Sequence, residues 1–146
     1  MKDLISGRVS YDTVNEKGIC KKVQEEYMVE AVTFSEAEFK LMEVLSGYDN
    51  PSVEAVRKEK INDLLLDADA EYFFRSTVAM VTMTEGKKEK KTRIKMLVAA
   101  DDVDECRSKI RTLLDACVSP YEIESIVKTK ILEVFLHEEP DADQTR

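Results

Sequence analysis

The sequence predicts an α+β fold in which a β-β-α-β unit occurs twice in tandem. Two observations carry that expectation. The first is self-similarity at a fixed offset of 69 residues: Tyr27 falls on Met96, Val29 on Val98, Ala31 on Ala100, Glu36 on Glu105 and Leu45 on Leu114. The same offset sets Val9 on Val78, Thr13 on Thr82, Lys21-Lys22 on Lys90-Lys91 and Pro51 on Pro120. Past the prolines it becomes 70, and "VRKEKINDLL" lies on "IVKTKILEVF", with Lys58 on Lys128, Lys60 on Lys130 and Ile61 on Ile131. Several segments in one register point to a tandem duplication. The second observation is that both halves repeat the same order of local signals.

Each half opens with a strand, Arg8–Val14 and Tyr72–Thr84, running into a polar, glycine-bearing turn, "NEKG" and "EGKK". A second strand follows over Ile19–Ala31 and Glu89–Ala100. Alternation puts Val23, Tyr27, Val29 and Ala31 on one face of the first, and Ile94, Met96, Val98 and Ala100 on one face of the second. A helix then starts on a capping box, Thr33 with Glu36 and Asp102 with Glu105. Helical spacing buries Ala37, Leu41, Val44 and Leu45 in one copy, and Cys106, Ile110, Leu113 and Leu114 in the other. Gly47 and "SPY" (Ser119 to Tyr121) end the helices. A last strand closes each half. In "YEIESIVKTKI" it is marked by alternating β-branched residues. Val53–Leu66 has helix-forming composition, and reads as a strand by analogy with the other half.

The expected partition is a first repeat over 1–66, a linker over 67–71, a second repeat over 72–136 and a disordered acidic tail over 137–146, all in one compact domain. The helices should cover one face of antiparallel or mixed sheets, with the copies packed about a pseudo-twofold axis. Ala79, Val81, Met83, Leu97 and Ala99 would then line an apolar face turned away from the helix. That face would be covered by the first copy or by a second molecule, which is the basis for expecting a homodimer.

A chain of 146 residues can bury a core without a metal or disulfide. Three cysteines without metal-ligand spacing suit a reducing compartment. The N-terminal residues lack the apolar core of a signal peptide, and no run reaches the roughly 18 apolar residues of a membrane span. The expectation is a cytoplasmic protein with no membrane contact. A net charge of −8 argues against a non-specific duplex-DNA binder. Charge is segregated, however: "KKEKKTRIK" (Lys87 to Lys95) sets six basic residues against one acidic, a local charge of +5.

The phrases "KKVQEEYMVEAVTFSEAE", "EKKTRIKMLVAADDVDE" and "YEIESIVKTKILEVF" resemble a family known as domain of unknown function 4494. The resemblance covers about Arg8 to Phe135. It implies a setting in Bacteroides-type bacteria, their mobile elements and phages. It assigns no activity and no site residue.

No catalytic constellation is visible, and the chain reads as a non-enzyme. The only histidine, His137, opens the acidic tail, where nothing would orient an imidazole. Phosphate-loop, dinucleotide and zinc-protease motifs are missing. Asp101, Asp102, Asp104 and Glu105 form an acidic cluster, but Val32, Thr33, Ser35 and Glu36 stand in those places in the other half. The shared feature is the cap, so no metal and no cofactor is expected. Cys106 and Cys117 read as small hydrophobes, and Cys20, beside Lys21 and Lys22, is the one thiol in an electropositive setting.

The basic hairpin carries the functional expectation. Lys91, Arg93 and Lys95 alternate with Thr92, Ile94 and Met96, and so project from one sheet face. Lys87 and Lys88 stand at the turn, and Lys90 lies in the strand that follows. Lys58, Lys60, Lys128 and Lys130 occupy matching places on the last strands. Cations in rows can track a phosphate backbone, and Tyr72, Phe73 and Phe74 could add stacking. Edge lysines also guard sheets against aggregation, which is the plainer reading of the same residues. The expected function is a non-enzymatic phage or mobile-element accessory module that binds single-stranded nucleic acid or a nucleotide-type ligand. The alternative is a factor that binds and modulates a host or defence protein.

Overall fold

The fold was analysed in a computed structural model that describes residues 3–86, 88–117 and 119–136. In chain order the elements are β1 (Asp3–Val14), β2 (Cys20–Ala31), α1 (Phe34–Val44), β3 (Asp49–Glu59), β4 (Asp63–Leu65), β5 (Tyr72–Met83), β6 (Glu89–Ala100), α2 (Val103–Leu114), β7 (Tyr121–Lys128) and β8 (Ile131–Phe135). The protein is α+β and mostly sheet, with two four-stranded mixed sheets among the described residues. It divides into two compact units. The first holds β1, β2, α1, β3 and β8; the second holds β4, β5, β6, α2 and β7.

In the first unit the strand order is β3-β1-β2-β8. β1 and β2 pair antiparallel from Asp3↔Ala31 to Val14↔Cys20. Asn15 shapes the turn between them. Its side-chain oxygen accepts from the Lys17 and Ile19 amides at 2.9 and 3.0 Å, and Gly18 takes the positive φ of 78°. α1 lies on one face and buries Ala37, Leu41 and Leu45 against Ile5, Val9, Tyr11, Val29 and Ala31. Gly7 sits beneath Leu41, where a Cβ would collide with that side chain. The capping box forms: the Glu36 amide donates to Thr33 Oγ1 at 3.1 Å, and the Val32 amide donates to Glu36 Oε1 at 2.9 Å. Gly47, at φ 95°, ends the helix.

A polar knot borders this core. The hydroxyls of Tyr11 and Tyr27 both donate to Glu25, each at 2.9 Å, and the Tyr11 ring stacks on Tyr48 at 4.0 Å. The bond to Glu25, with burial, pushes the Tyr11 phenol from 10.0 up to about 12. Burial, then the same carboxylate, also raises Tyr27. A folded-state pKa above the unfolded value means the bond stabilises fully below pH 10 and is lost as pH rises towards 12. Thermal melts from pH 8 to 12 should therefore fall more steeply above pH 10 in the natural protein than in Tyr11→Phe. Equal slopes would contradict the assignment.

The second unit has the order β4-β6-β5-β7. β5 and β6 pair from Tyr72↔Ala100 to Met83↔Glu89. α2 buries Cys106, Ile110 and Leu114 against Phe74, Val78, Met96, Val98 and Ala100. Its capping box also forms, with the Glu105 amide on Asp102 and the Asp101 amide on Glu105, both at 2.7 Å. In each unit a helix lysine fastens the end of the second strand: Lys40 Nζ donates to the Glu30 carbonyl at 2.8 Å, and Lys109 Nζ to the Ala99 carbonyl at 2.7 Å.

Three expectations change. Residues 53–66 contain no helix, but neither are they one strand. β3 ends at Glu59 in the first unit, and β4 pairs with β6 in the second. Likewise β7 ends at Lys128, and β8 pairs with β2 in the first unit. The strand predicted to close each half is thus two strands in different sheets, and the compact units do not coincide with the sequence segments 1–66 and 72–136. Backbone latches mark the breaks. Asn62 donates its amide to the Lys95 carbonyl at 2.7 Å, and the Thr129 amide and hydroxyl donate to the Phe73 carbonyl at 2.9 and 2.8 Å. Second, β1 starts at Asp3 rather than Arg8, because it is a central strand paired on both sides from Leu4 onward. Third, Leu113 is 40% exposed and lies off the buried stripe of α2. On the face turned from α2, Ala79, Leu97 and Ala99 are buried and Met83 is exposed.

Candidate nucleic-acid interface

The basic hairpin is β5–β6. Its turn closes as the Thr84 amide and hydroxyl donate to the Lys88 carbonyl at 2.9 and 3.2 Å. Ile94, Met96 and Val98 pack towards α2. Lys91, Arg93 and Lys95 therefore project from the opposite face, as the alternation predicts.

That row meets carboxylates from β7. Arg93 holds Glu124 through two bonds, Nε to Oε1 at 2.8 Å and Nη2 to Oε2 at 3.3 Å. The bond holds the Glu124 carboxyl below the usual range and raises Arg93. Lys91 lies 3.8 Å from Glu122. The first unit has a counterpart, in which Glu54 on β3 takes Lys22 at 2.9 Å and Gln24 at 2.7 Å on β2. Glu54 aligns with Glu124, Lys22 with Lys91 and Gln24 with Arg93 in the offsets that relate the halves. A polar clasp between second and third strands thus recurs without the basic run. Exposed pairs of this kind add about 1 kcal/mol or less, so the clasp sets side-chain direction more than stability.

The other candidate cations separate. Lys88, Lys90 and Lys95 are exposed, and their ammonium groups make no ion pair among the described residues. Lys60 stands beside β6, because Asn62, two residues on, is bonded to the Lys95 backbone on both its amide and its side chain. Lys58 pairs with Asp3 at 3.2 Å in the first unit. Lys128 lies over the Tyr72 ring at 3.5 Å. It is registered with Phe74, whereas Lys91 is registered with Val81. At a rise of ~3.3 Å per residue the two positions are about 23 Å apart along β5. Lys130, beyond it, shares that remote end. The predicted set is therefore not brought together: the hairpin cations stand apart from Lys128 and Lys130. Lys87 lies outside the described residues.

The aromatic residues are not at the hairpin end either. Tyr72 pairs with Ala100 at the far end of β5, its ring faces the Lys128 ammonium, and Phe74 is core. The acidic cluster is engaged locally. Asp101 accepts from the Glu71 amide at 2.9 Å, Asp102 caps α2, Asp104 pairs with Arg107 at 3.0 Å, and Glu105 completes the capping box. Cys106 is buried, and burial pushes its thiol up to about 11. Cys20 and Cys117 are exposed. His137 and the acidic tail lie outside the described residues. Among the described residues no helix is long and apolar enough to cross a membrane.

One feature escaped the sequence reading. A cleft of about 730 Å³ lies between α2 and β7, with Arg107 and Arg111 on its helix wall and Ile123 and Ile126 from the strand. The available signal was two arginines one turn apart on α2, where Glu38 and Met42 stand on α1.

The model of a family described as Domain of unknown function (DUF4494) matches residues 4–137. No curated protein and no solved structure matches the chain.

Proposed function

The chain belongs to the DUF4494 family, and from that premise we propose that it is a non-enzymatic module that binds single-stranded nucleic acid or a nucleotide-type ligand through the β5–β6 hairpin. One observation carries the reading. Lys88, Lys90 and Lys95 are exposed on one hairpin and make no ion pair among the described residues, in a chain whose net charge is −8. Arg93 and Lys91 are clasped to β7 and serve as a fixed backing. The ligand-holding set narrows to Lys88 and Lys90 at the hairpin end, with Lys95 and the neighbouring Lys60 further along β6, Lys95 on the face opposite to Lys90. A site of about three phosphate contacts on a single strand gives a log–log salt slope near −2. Raising salt tenfold should then weaken binding about 100-fold.

The test is fluorescence anisotropy with a labelled single-stranded oligonucleotide across a salt series. Lys88→Glu/Lys90→Glu should weaken binding at least tenfold, and Arg93→Gln much less. Absence of binding at low salt removes the reading, as does indifference to the lysine pair.

The same reading takes the two halves as products of a tandem duplication. Matching strand orders support it, as do the registers Asp63↔Met96 and Glu133↔Tyr27, which occupy equivalent places in the two sheets. It also takes the protein as a cytoplasmic accessory factor of a phage or mobile element, and its setting follows from the family resemblance alone. A second reading, binding of a host protein, rests on α1, which exposes Phe34, Phe39 and Met42, with Phe39 at 66%. A partner recovered after nuclease treatment and lost in Phe39→Glu/Met42→Glu would favour it.

A further inference from the structure

We propose that the cleft between α2 and β7 is a docking groove for an extended acidic peptide, which adds as a strand to the outer edge of β7. The inference does not depend on the hairpin. β7 is the last strand in the order β4-β6-β5-β7 and has β5 on one side only. Its other edge has no strand partner among the described residues. Such an edge presents backbone donors and acceptors to an incoming chain, and flanking side chains choose the sequence.

The side chains here choose acid. Arg107 and Arg111 stand one turn apart on α2 and line the cleft. Arg111 makes no ion pair among the described residues. Arg107 has only the 3.0 Å contact to Asp104, a residue of its own helix that is 92% exposed. Three carboxylates, Asp115, Glu122 and Glu124, also line the cleft, and each has a partner of its own. Glu122 and Glu124 reach Lys91 and Arg93 on the other sheet face, and Asp115 accepts the Tyr121 hydroxyl at 2.7 Å. Ile123 and Ile126 supply apolar contact beneath the groove. A peptide strand alternates its side chains, so acid and apolar residues in turn would satisfy wall and floor together.

The edge is also guarded. A register shift falls between the Thr77↔Ser125 and Val78↔Ile123 pairs, which leaves Glu124 as an extra residue in β7. A bulge shortens each regular run of the edge and discourages indiscriminate pairing. Backbone pairing alone is therefore short, and the arginines carry selectivity. On α1 the equivalent positions are Glu38 and Met42, so the first unit lacks the acid-selecting wall.

The experiment is a ¹⁵N amide titration of the full chain with acetyl-(Glu-Val)₃-amide, with acetyl-(Lys-Val)₃-amide as control. The acidic peptide should shift the amides of residues 123–126. Its affinity should fall at least tenfold in Arg107→Glu/Arg111→Glu and stay unchanged in Lys88→Glu/Lys90→Glu, which separates this inference from the hairpin reading. Arg111 is exposed and Arg107 half-exposed, and neither belongs to the α2 core cluster, so their loss leaves the core intact. Several results would overturn the proposal: no shift on β7 at millimolar peptide, equal binding of the lysine peptide, or no effect of the arginine pair. Inorganic phosphate that reproduces the shifts would reduce the cleft to a simple anion site. An oligonucleotide that reproduces them would assign it to nucleic acid.

Discussion

A chain ending at Lys130 is expected to lose the fold of the first unit, whereas a chain ending at Leu136 keeps it. Among the described residues β8 is the only element of the first unit that arrives from the far end of the chain. It pairs with β2 from Glu26↔Ile131 to Val29↔Phe135. Ile131 is buried, Val134 and Phe135 are half-buried, and the Phe135 ring lies 5.7 Å from that of Tyr27. Full burial of one such side chain contributes about 1.5–3 kcal/mol, so the three together contribute about 5 kcal/mol. A domain of this size has only about 5–15 kcal/mol in all. The second unit, a continuous stretch of chain with its own core, should survive. Amide exchange should show lost protection in β1, β2 and β3 with protection kept in β5 and β6. If both truncations melt within about 2 °C of each other, β8 contributes far less than its burial implies.

The same strand marks where sequence reasoning stopped. Caps and alternation are local: Thr33 with Glu36, or Ile94 with Met96, need only a few neighbours to be recognised. The break after Lys128 is not local. Tyr121 to Ile131 reads as one β-branched run because the partner changes, from β5 to β2, while composition does not. Only the Lys-x-Lys at each break, where an apolar position is skipped, hinted at it. The candidate surface divides in the same way. The positive charge of Lys87–Lys95 is written in the sequence. Its partial neutralisation is not, since Glu122 and Glu124 come from a strand that is next but one in the sheet. Likewise Arg107 and Arg111 read as an ordinary solvated helix face until the open edge of β7 is placed beside them.

Gly7→Ala should destabilise the first unit by about 1–3 kcal/mol, the usual cost of crowding a packed core. The position lies on β1 between Tyr27 and Val56, and no positive φ requires glycine there. What requires it is space, because a methyl at Gly7 would strike the end of the Leu41 side chain. Leu41 is fully buried among Ile5, Val9 and Val29, so it has little room to withdraw. Leu41→Ala should cost about 2–5 kcal/mol through the cavity it leaves. The two changes occupy one volume, and the double variant should therefore cost less than their sum by at least about 1 kcal/mol. The second unit shows why the cycle is specific. There Ser76 occupies the place of Gly7 and turns its hydroxyl to the Ser125 carbonyl at 2.9 Å, while Ile110 replaces Leu41. A β-branched side chain on the helix ends nearer its own backbone and leaves room for a Cβ on the strand. Urea denaturation of the four species measures the coupling. Additivity within about 0.5 kcal/mol would mean that Leu41 swings clear of the new methyl and that Gly7 is held for another reason.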